Sequence, residues 1–298
     1  MSAAKALREL ACGPTPAISD DEFAKMLDAV GRQIEDYASF VSVYKSRPSD
    51  KDSSYFLPLA LRSVMEASCT GVLARIDPYR VMYAAKAQLT AAYDRSSQQA
   101  SSLKWSGDMV LGGEVKTGGA KPAKPSVPSA PATPPVPPAP PAPSTPAATV
   151  QAANSTLVAS WEPNLGREKI PRAIFSLNMY EVLWNPAHKK FTDWFVSTNS
   201  TASVCSDLAA LSSHQVRDLF TVKGSKLYSE LSKGIHPEFI ISRQAEFDAA
   251  TLTDLSERTV AWVTQMAVLT HFSSLSNTRL DVSRLLDQIE SIQGDLLS

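Results

Sequence analysis

Residues Lys121–Thr149, reading KPAKPSVPSAPATPPVPPAPPAPSTPAAT, hold twelve of the chain's 21 prolines. The stretch has no aromatic residue, and its only charges are Lys121 and Lys124. Each proline removes a backbone donor and fixes φ, so neither a helix nor a central strand can run through it. Polyproline II and disordered conformers remain, which makes the tract a spacer. Whatever folds must be built from the residues on either side.

Those flanks are each long enough to bury an apolar core. Hydrophobic content of 44% and charged content of 20% over 298 residues are those of a globular chain. A formal net charge of −1 gives no global attraction to nucleic acid or to an anionic membrane, so any such binding must rest on a local patch. Cys12, Cys69 and Cys205 are odd in number and far apart. They read as reduced thiols of a cytoplasmic protein, with no CxxC or Cys/His cluster for zinc. The opening MSAAKALRELACG has no apolar h-region, which argues against a secretory signal. The uncharged run around 260–272 falls short of the roughly 18 residues of a membrane span. A cytoplasmic location, no membrane, no metal and no cofactor are therefore expected.

Helical periodicity dominates both flanks. Residues 1–18 read as a short, flexible N-terminus, stopped by Gly13-Pro14-Thr15-Pro16. Ser19 to Glu22 has the form of a capping box. Phe23, Met26, Leu27, Val30, Ile34, Tyr37, Val41 and Tyr44 then follow at helical spacing up to Arg47-Pro48. A second helix, from about Ser54 to Ile76, is apolar nearly all round and reads as central. Asp77-Pro78 supplies an N-cap and a proline at N1 for a third. Trp105 to Gly119 reads as a loop, with room for a short strand at Met109–Leu111. Beyond the tract, Pro186 is expected to split the aromatic-rich 170–195 region into two short helices, and Ser212-Ser213 to break the helical run 202–220. A helix at 226–232 should stop at Gly234 in a C′ position. Two more helices are expected at about 253–275, capped by Asp254, and 279–297. The fold class is mainly α, a helical bundle interrupted by a long disordered Pro/Ala-rich insertion. Its expected organisation is 1–18, a helical half at 19–104, a linker or insertion at 105–153, and a helical half at 154–298. The two halves are expected to pack as one assembly, with the tract as a tether.

HExxH, GxSxG, GxGxxG and P-loop motifs are all absent. Among the four histidines, His236 lies in LYSELSKGIHPEF, just past a helix end that carries Tyr228, Ser232 and Lys233. An imidazole fixed there would titrate near neutral pH, and Lys233 could meet a phosphate; alternatively His236 only caps helix carbonyls. Arg62 and Glu66 stand at i and i+4 on the apolar second helix, where unpaired charge is costly. They form a structural ion pair, with or without a ligand on Arg62. Arg75-Ile76-Asp77-Pro78-Tyr79-Arg80 is a basic corner at a helix start, suited to an anion or to plain capping. The aromatic cluster at 175–195, with Arg172, Lys189 and Lys190, could stack bases but has the composition of a core.

The ALRSVMEAS segment around Arg62 and the later LYSELSKGIHP element together resemble the HEPN superfamily of small α-helical domains. The likeness covers Tyr55–Tyr93 and Lys226–Leu275. It implies an all-α bundle, often dimeric, with an RNA-binding cleft at a helix terminus. Such domains are common in prokaryotic defence, stress and toxin–antitoxin systems, and many are metal-independent ribonucleases. The family's signature places an arginine shortly before a histidine. Here the histidine maps onto His236, whereas the preceding positions hold Glu230, Leu231 and Ser232, so the arginine has no counterpart in sequence. Arg62 or Lys233 would have to supply it in space. The resemblance implies His236 as general acid/base; from the local chemistry above, Arg62 is its candidate partner, and Arg75, Arg80, Lys233 and Tyr228 are candidate RNA or phosphate contacts. The other reading is a non-catalytic scaffold or partner-binding protein, a homodimer included, in which the tract spaces or presents the halves.

Overall fold

The computed structural model describes residues 2–14, 22–88, 174–176, 179–198, 202–234 and 242–297. Every regular element among them is helical, with no strand. In chain order these are α1 (Ala3–Cys12), α2 (Glu22–Lys45), α3 (Lys51–Ile76) and α4 (Pro78–Gln88). After the tract come α5 (Asn185–Thr198), α6 (Ser203–Ala209), α7 (Ser213–Asp218) and α8 (Gly224–Lys233). The last three are α9 (Arg243–Glu246), α10 (Ala249–Phe272) and α11 (Val282–Leu296). The tract itself, the Trp105–Gly119 loop and Ser19 of the expected capping box lie outside the described residues.

Helix α3 is central because its sequence leaves it no wide wet stripe. Leu57, Leu61, Val64, Met65, Cys69, Val72 and Leu73 are all buried, with Ser53, Ser54 and Ser68 between them. By length and composition α3 could cross a membrane, but two-thirds of its apolar window is buried within the fold (67%). It packs on α1, α2, α4, α8, α9 and α10. Helix α10 is its counterpart from beyond the tract, buried on one face from Leu252 and all round from Trp262 to His271, and touching α5, α6, α8 and α11 as well. The two meet at Cys69 and Met266, whose sulfurs are 3.8 Å apart. Residues of α1–α4, α5–α8, α10 and α11 belong to one apolar core.

The N-terminus differs from its sequence reading. Residues 3–12 form a helix rather than a flexible lead, with Ala3, Ala6, Leu7, Leu10 and Ala11 buried against α2, α3, α10 and α11. Its apolar stripe is made largely of alanines and spans under three turns, too weak a periodic signal to separate from a loop. Gly13 ends it at φ 83, a backbone state that favours glycine, and a Cβ there would also collide with the Thr278 side chain.

Beyond the tract the helical breaks also move. Pro186 does not split its region: a π-helical turn, Tyr180–Trp184, runs directly into α5. Proline clashes with the carbonyl four residues back, and the wider i→i+5 register ahead of it gives the backbone room. The break at Ser212 is found, where Ser212 and Gln215 form a reciprocal capping box for α7. Asp248 rather than Asp254 caps α10, and Asp281 caps α11, each accepting from a backbone N–H three residues on.

The aromatic cluster is core. Phe175 stacks on Trp184 and Phe220, and all three are fully buried. A second π-turn, Leu219–Lys223, joins α7 to α8 at this point. The Trp262 indole N–H donates to Leu219 O at 2.9 Å, beside the turn, and its ring lies flat against Gly224. A Cβ on Gly224 would sit 2.9 Å from the Trp262 ring. Gly224→Ala is therefore expected to lower stability by about 1–3 kcal/mol through overpacking, read as a lower denaturation midpoint. An unchanged midpoint would mean that α8 is not held against Trp262.

Candidate functional site at the α3–α8 junction

The sequence rule that opposite charges at i and i+4 share a helix face places Arg62 and Glu66 on one side of α3. Helix α8 crosses that side, sealed down by Leu227 and Leu231, so that Tyr228 meets the charged pair. Arg62 Nε donates to Glu66 Oε1 at 2.9 Å, and Arg62 Nη2 donates to the Tyr228 hydroxyl at 2.7 Å. That hydroxyl donates in turn to Glu66 Oε1 at 2.9 Å, closing a ring of three hydrogen bonds. The guanidinium carbon also sits 4.7 Å from the Tyr228 ring centroid, a cation–π contact.

This network is only part-buried, with the Arg62 and Glu66 side chains 21% and 29% exposed. Burial disfavours charge on Arg62, but the hydrogen bond and field of Glu66 outweigh it and raise its pKa. Burial, reinforced by the Glu66 carboxylate, pushes the Tyr228 phenol up to about 12, so it remains a donor. The result is a permanently charged guanidinium, locked in orientation by two partners and still reached by solvent. Such a group can clamp a phosphate or carboxylate without reorganising.

Lys233 is exposed at the end of α8, one turn past Tyr228. His236 lies outside the described residues.

Two of the expected phosphate contacts are placed elsewhere. Arg75 stands thirteen residues after Arg62 on α3, about 20 Å along the axis. It is fully buried (0% exposed), donating to Leu10 O at 3.0 Å, Ser276 Oγ at 3.1 Å, Thr278 Oγ1 at 3.1 Å and Thr278 O at 2.5 Å. A group so enclosed cannot meet a phosphate, and the expectation for Arg75 is corrected to a role in the fold. Arg80 pairs with Asp77 at 3.0 Å at the start of α4, where Asp77 also accepts from Arg80 N. The arginines do not converge in one cleft.

Sequence reasoning missed the partner of Arg75. His271, near the end of α10, lies against the guanidinium with ring nitrogens 3.3 Å from Nη1 and Nη2. Its Nε2 donates to Leu10 O at 3.1 Å and its Nδ1 accepts from Leu280 N at 3.2 Å, which fixes the neutral tautomer. Also missed were Glu9, buried and paired with Arg284 at 2.9 Å, and Arg8, bridged to Asp28 and Glu35. Only a helix at residues 3–12 would have made these visible. Among the described residues no group of three His, Cys, Asp or Glu side chains could hold a metal ion.

No protein-family model, curated protein or solved structure matches this chain.

Proposed function

We propose that this helical protein binds RNA at the α3–α8 junction and cleaves it there. The observation that carries the reading is the Arg62 guanidinium, held by Glu66 and Tyr228 at a part-exposed helix crossing. The resemblance of both segments to HEPN domains points the same way. His236 follows Gly234 by two residues in sequence. In this reading Arg62, with Lys233, binds the scissile phosphate. His236 takes the proton of the ribose 2′-hydroxyl as its oxygen attacks phosphorus. The bond from phosphorus to the 5′-oxygen breaks, and that oxygen takes a proton from water, leaving a cyclic phosphate and a free 5′-hydroxyl, while His236 returns its proton to solvent. Arg62 stabilises the added negative charge of the transition state.

The test is incubation of the purified protein with a labelled single-stranded RNA, comparing wild type with His236→Ala and Arg62→Met. His236→Ala is expected to slow cleavage by about 10²–10⁴-fold. Cleavage at equal rates in all three, or in none, removes the catalytic reading.

One observation favours a second reading, a partner-binding scaffold. Phe40, Val43, Phe56 and Leu59 are each 43–51% exposed on α2 and α3, and Phe56 stacks on Tyr44 across the two helices at 5.6 Å. A scaffold would show His236→Ala affecting nothing, and Phe40→Ser/Phe56→Ser abolishing recovery of a partner.

A further inference from the structure

Gly234 ends α8, as its place in the sequence suggests, but its φ is −61, open to any residue. What requires glycine is a neighbour. A Cβ at Gly234 would collide with Cβ of Pro58 and stand 3.3 Å from its Cγ and 3.1 Å from Leu231 O. Pro58 lies inside α3, one turn before Arg62. Helices α3 and α8 thus touch backbone-close at one point, and they run antiparallel from it, since Tyr228 precedes Gly234 while Arg62 and Glu66 follow Pro58.

The rise per residue makes the consequence quantitative. Six residues separate Gly234 from Tyr228, about 9 Å along α8. Four and eight residues separate Pro58 from Arg62 and Glu66, about 6 and 12 Å along α3. A contact pinned at Gly234–Pro58 therefore delivers Tyr228 midway between Arg62 and Glu66, where it bonds to both. A slip of one residue, about 1.5 Å, would break bonds of 2.7 and 2.9 Å.

The geometry points to Gly234 and Pro58 as positioning residues for the Arg62 site: their close contact sets the register in which Tyr228 locks the guanidinium. Neither touches the proposed phosphate. Pro58, unusual inside a helix, presents a compact ring with no N–H to satisfy, and Gly234 accepts it. The consequence for RNA rests on the function proposed above; the register does not.

The experiment uses the full chain as Gly234→Ala, Pro58→Gly and the double variant. The first readout is hydrogen exchange of the Arg62 Nε–H, followed by NMR. Gly234→Ala is expected to speed it by about tenfold or more, the effect of losing one ordinary hydrogen bond. Pro58→Gly removes the colliding Cβ, so the double variant is expected to regain wild-type protection. The second readout is RNA cleavage, where kcat should fall in Gly234→Ala and recover in the double variant.

Unchanged Arg62 exchange in Gly234→Ala, or a double variant no better than the single one, overturns the inference. If Gly234→Ala does not fold, a folded, protected double variant supports it and an unfolded one overturns it. Arg62 exchange that follows the register while RNA is cleaved by no variant supports the joint and sinks the ribonuclease reading alone.

Discussion

Arg75→Met is expected to lower the free energy of unfolding by about 3–5 kcal/mol, the largest effect of any single substitution considered for this chain. Among the described residues no carboxylate is a hydrogen-bond partner of the Arg75 guanidinium; two carbonyls and two hydroxyls hold it instead. The compensation comes from helix ends. Leu10 O belongs to the last turn of α1, Arg75 itself to that of α3, and His271 to that of α10. Three negative dipole ends therefore converge on one cation. Burial pushes its pKa down to about 9, which leaves it charged at neutral pH. Methionine would fill the volume but leave buried acceptors unmet, each costing about 1–3 kcal/mol. Lysine should restore only part, because an ammonium cannot reproduce the planar fork that spans Leu10, Ser276 and Thr278. Urea denaturation decides the point, and a loss below about 1 kcal/mol would show that these carbonyls are satisfied without it.

The second large effect is on acid stability. His271 is buried, and that burial, with Arg75 and then Arg279 nearby, holds its pKa well below 6.5. The folded state therefore keeps the ring neutral while the unfolded chain takes up a proton near pH 6.5. Between those two values the unfolded state binds more protons, so stability must fall as pH falls from about 6.5. The slope approaches about 1.4 kcal/mol per pH unit for this one group. The groups facing the ring are Arg75 from α3, Arg279 from the loop before α11, and the Leu10 carbonyl from α1. Among the described residues no carboxylate joins them to favour the imidazolium. Denaturation midpoints at pH 7.5, 6.5 and 5.5 should be level over the first interval and drop over the second, and His271→Gln should flatten that drop. Equal drops in wild type and His271→Gln would place the acid sensitivity elsewhere.

How much of this could be read from the residues depends on range. The all-helical class, the central place of α3 and the Ser212 break follow from local spacing and capping, which act within a few residues. So does the Arg62–Glu66 pair, because i and i+4 are neighbours on any helix. Tyr228 stood out in the sequence only by its place before His236; its hydrogen bond to Arg62 spans 166 residues and no local rule carries it. Arg75 was misread for the same reason. A helix-terminal arginine ordinarily reaches solvent, and only the arrival of α1 and the 273–280 loop encloses it. The α8 terminus is the subtler case: glycine was foreseen there for its backbone freedom, whereas the structure uses its missing side chain.

The pairing of α3 with α10 carries a consequence in time. The ribosome completes α3 at Ile76 and reaches the start of α10 only at Ala249, 173 residues later. At about 5–20 residues per second, that is an interval of about 9–35 s. Throughout it, α3 has α1, α2 and α4 to cover it but lacks α10, and it lacks α8 as well until the chain passes Gly224. The proline tract, without an aromatic residue, is made within that interval. Newly made chains therefore carry the side of α3 around Cys69 uncovered for seconds, a window in which chaperones have time to act and in which truncated chains will aggregate.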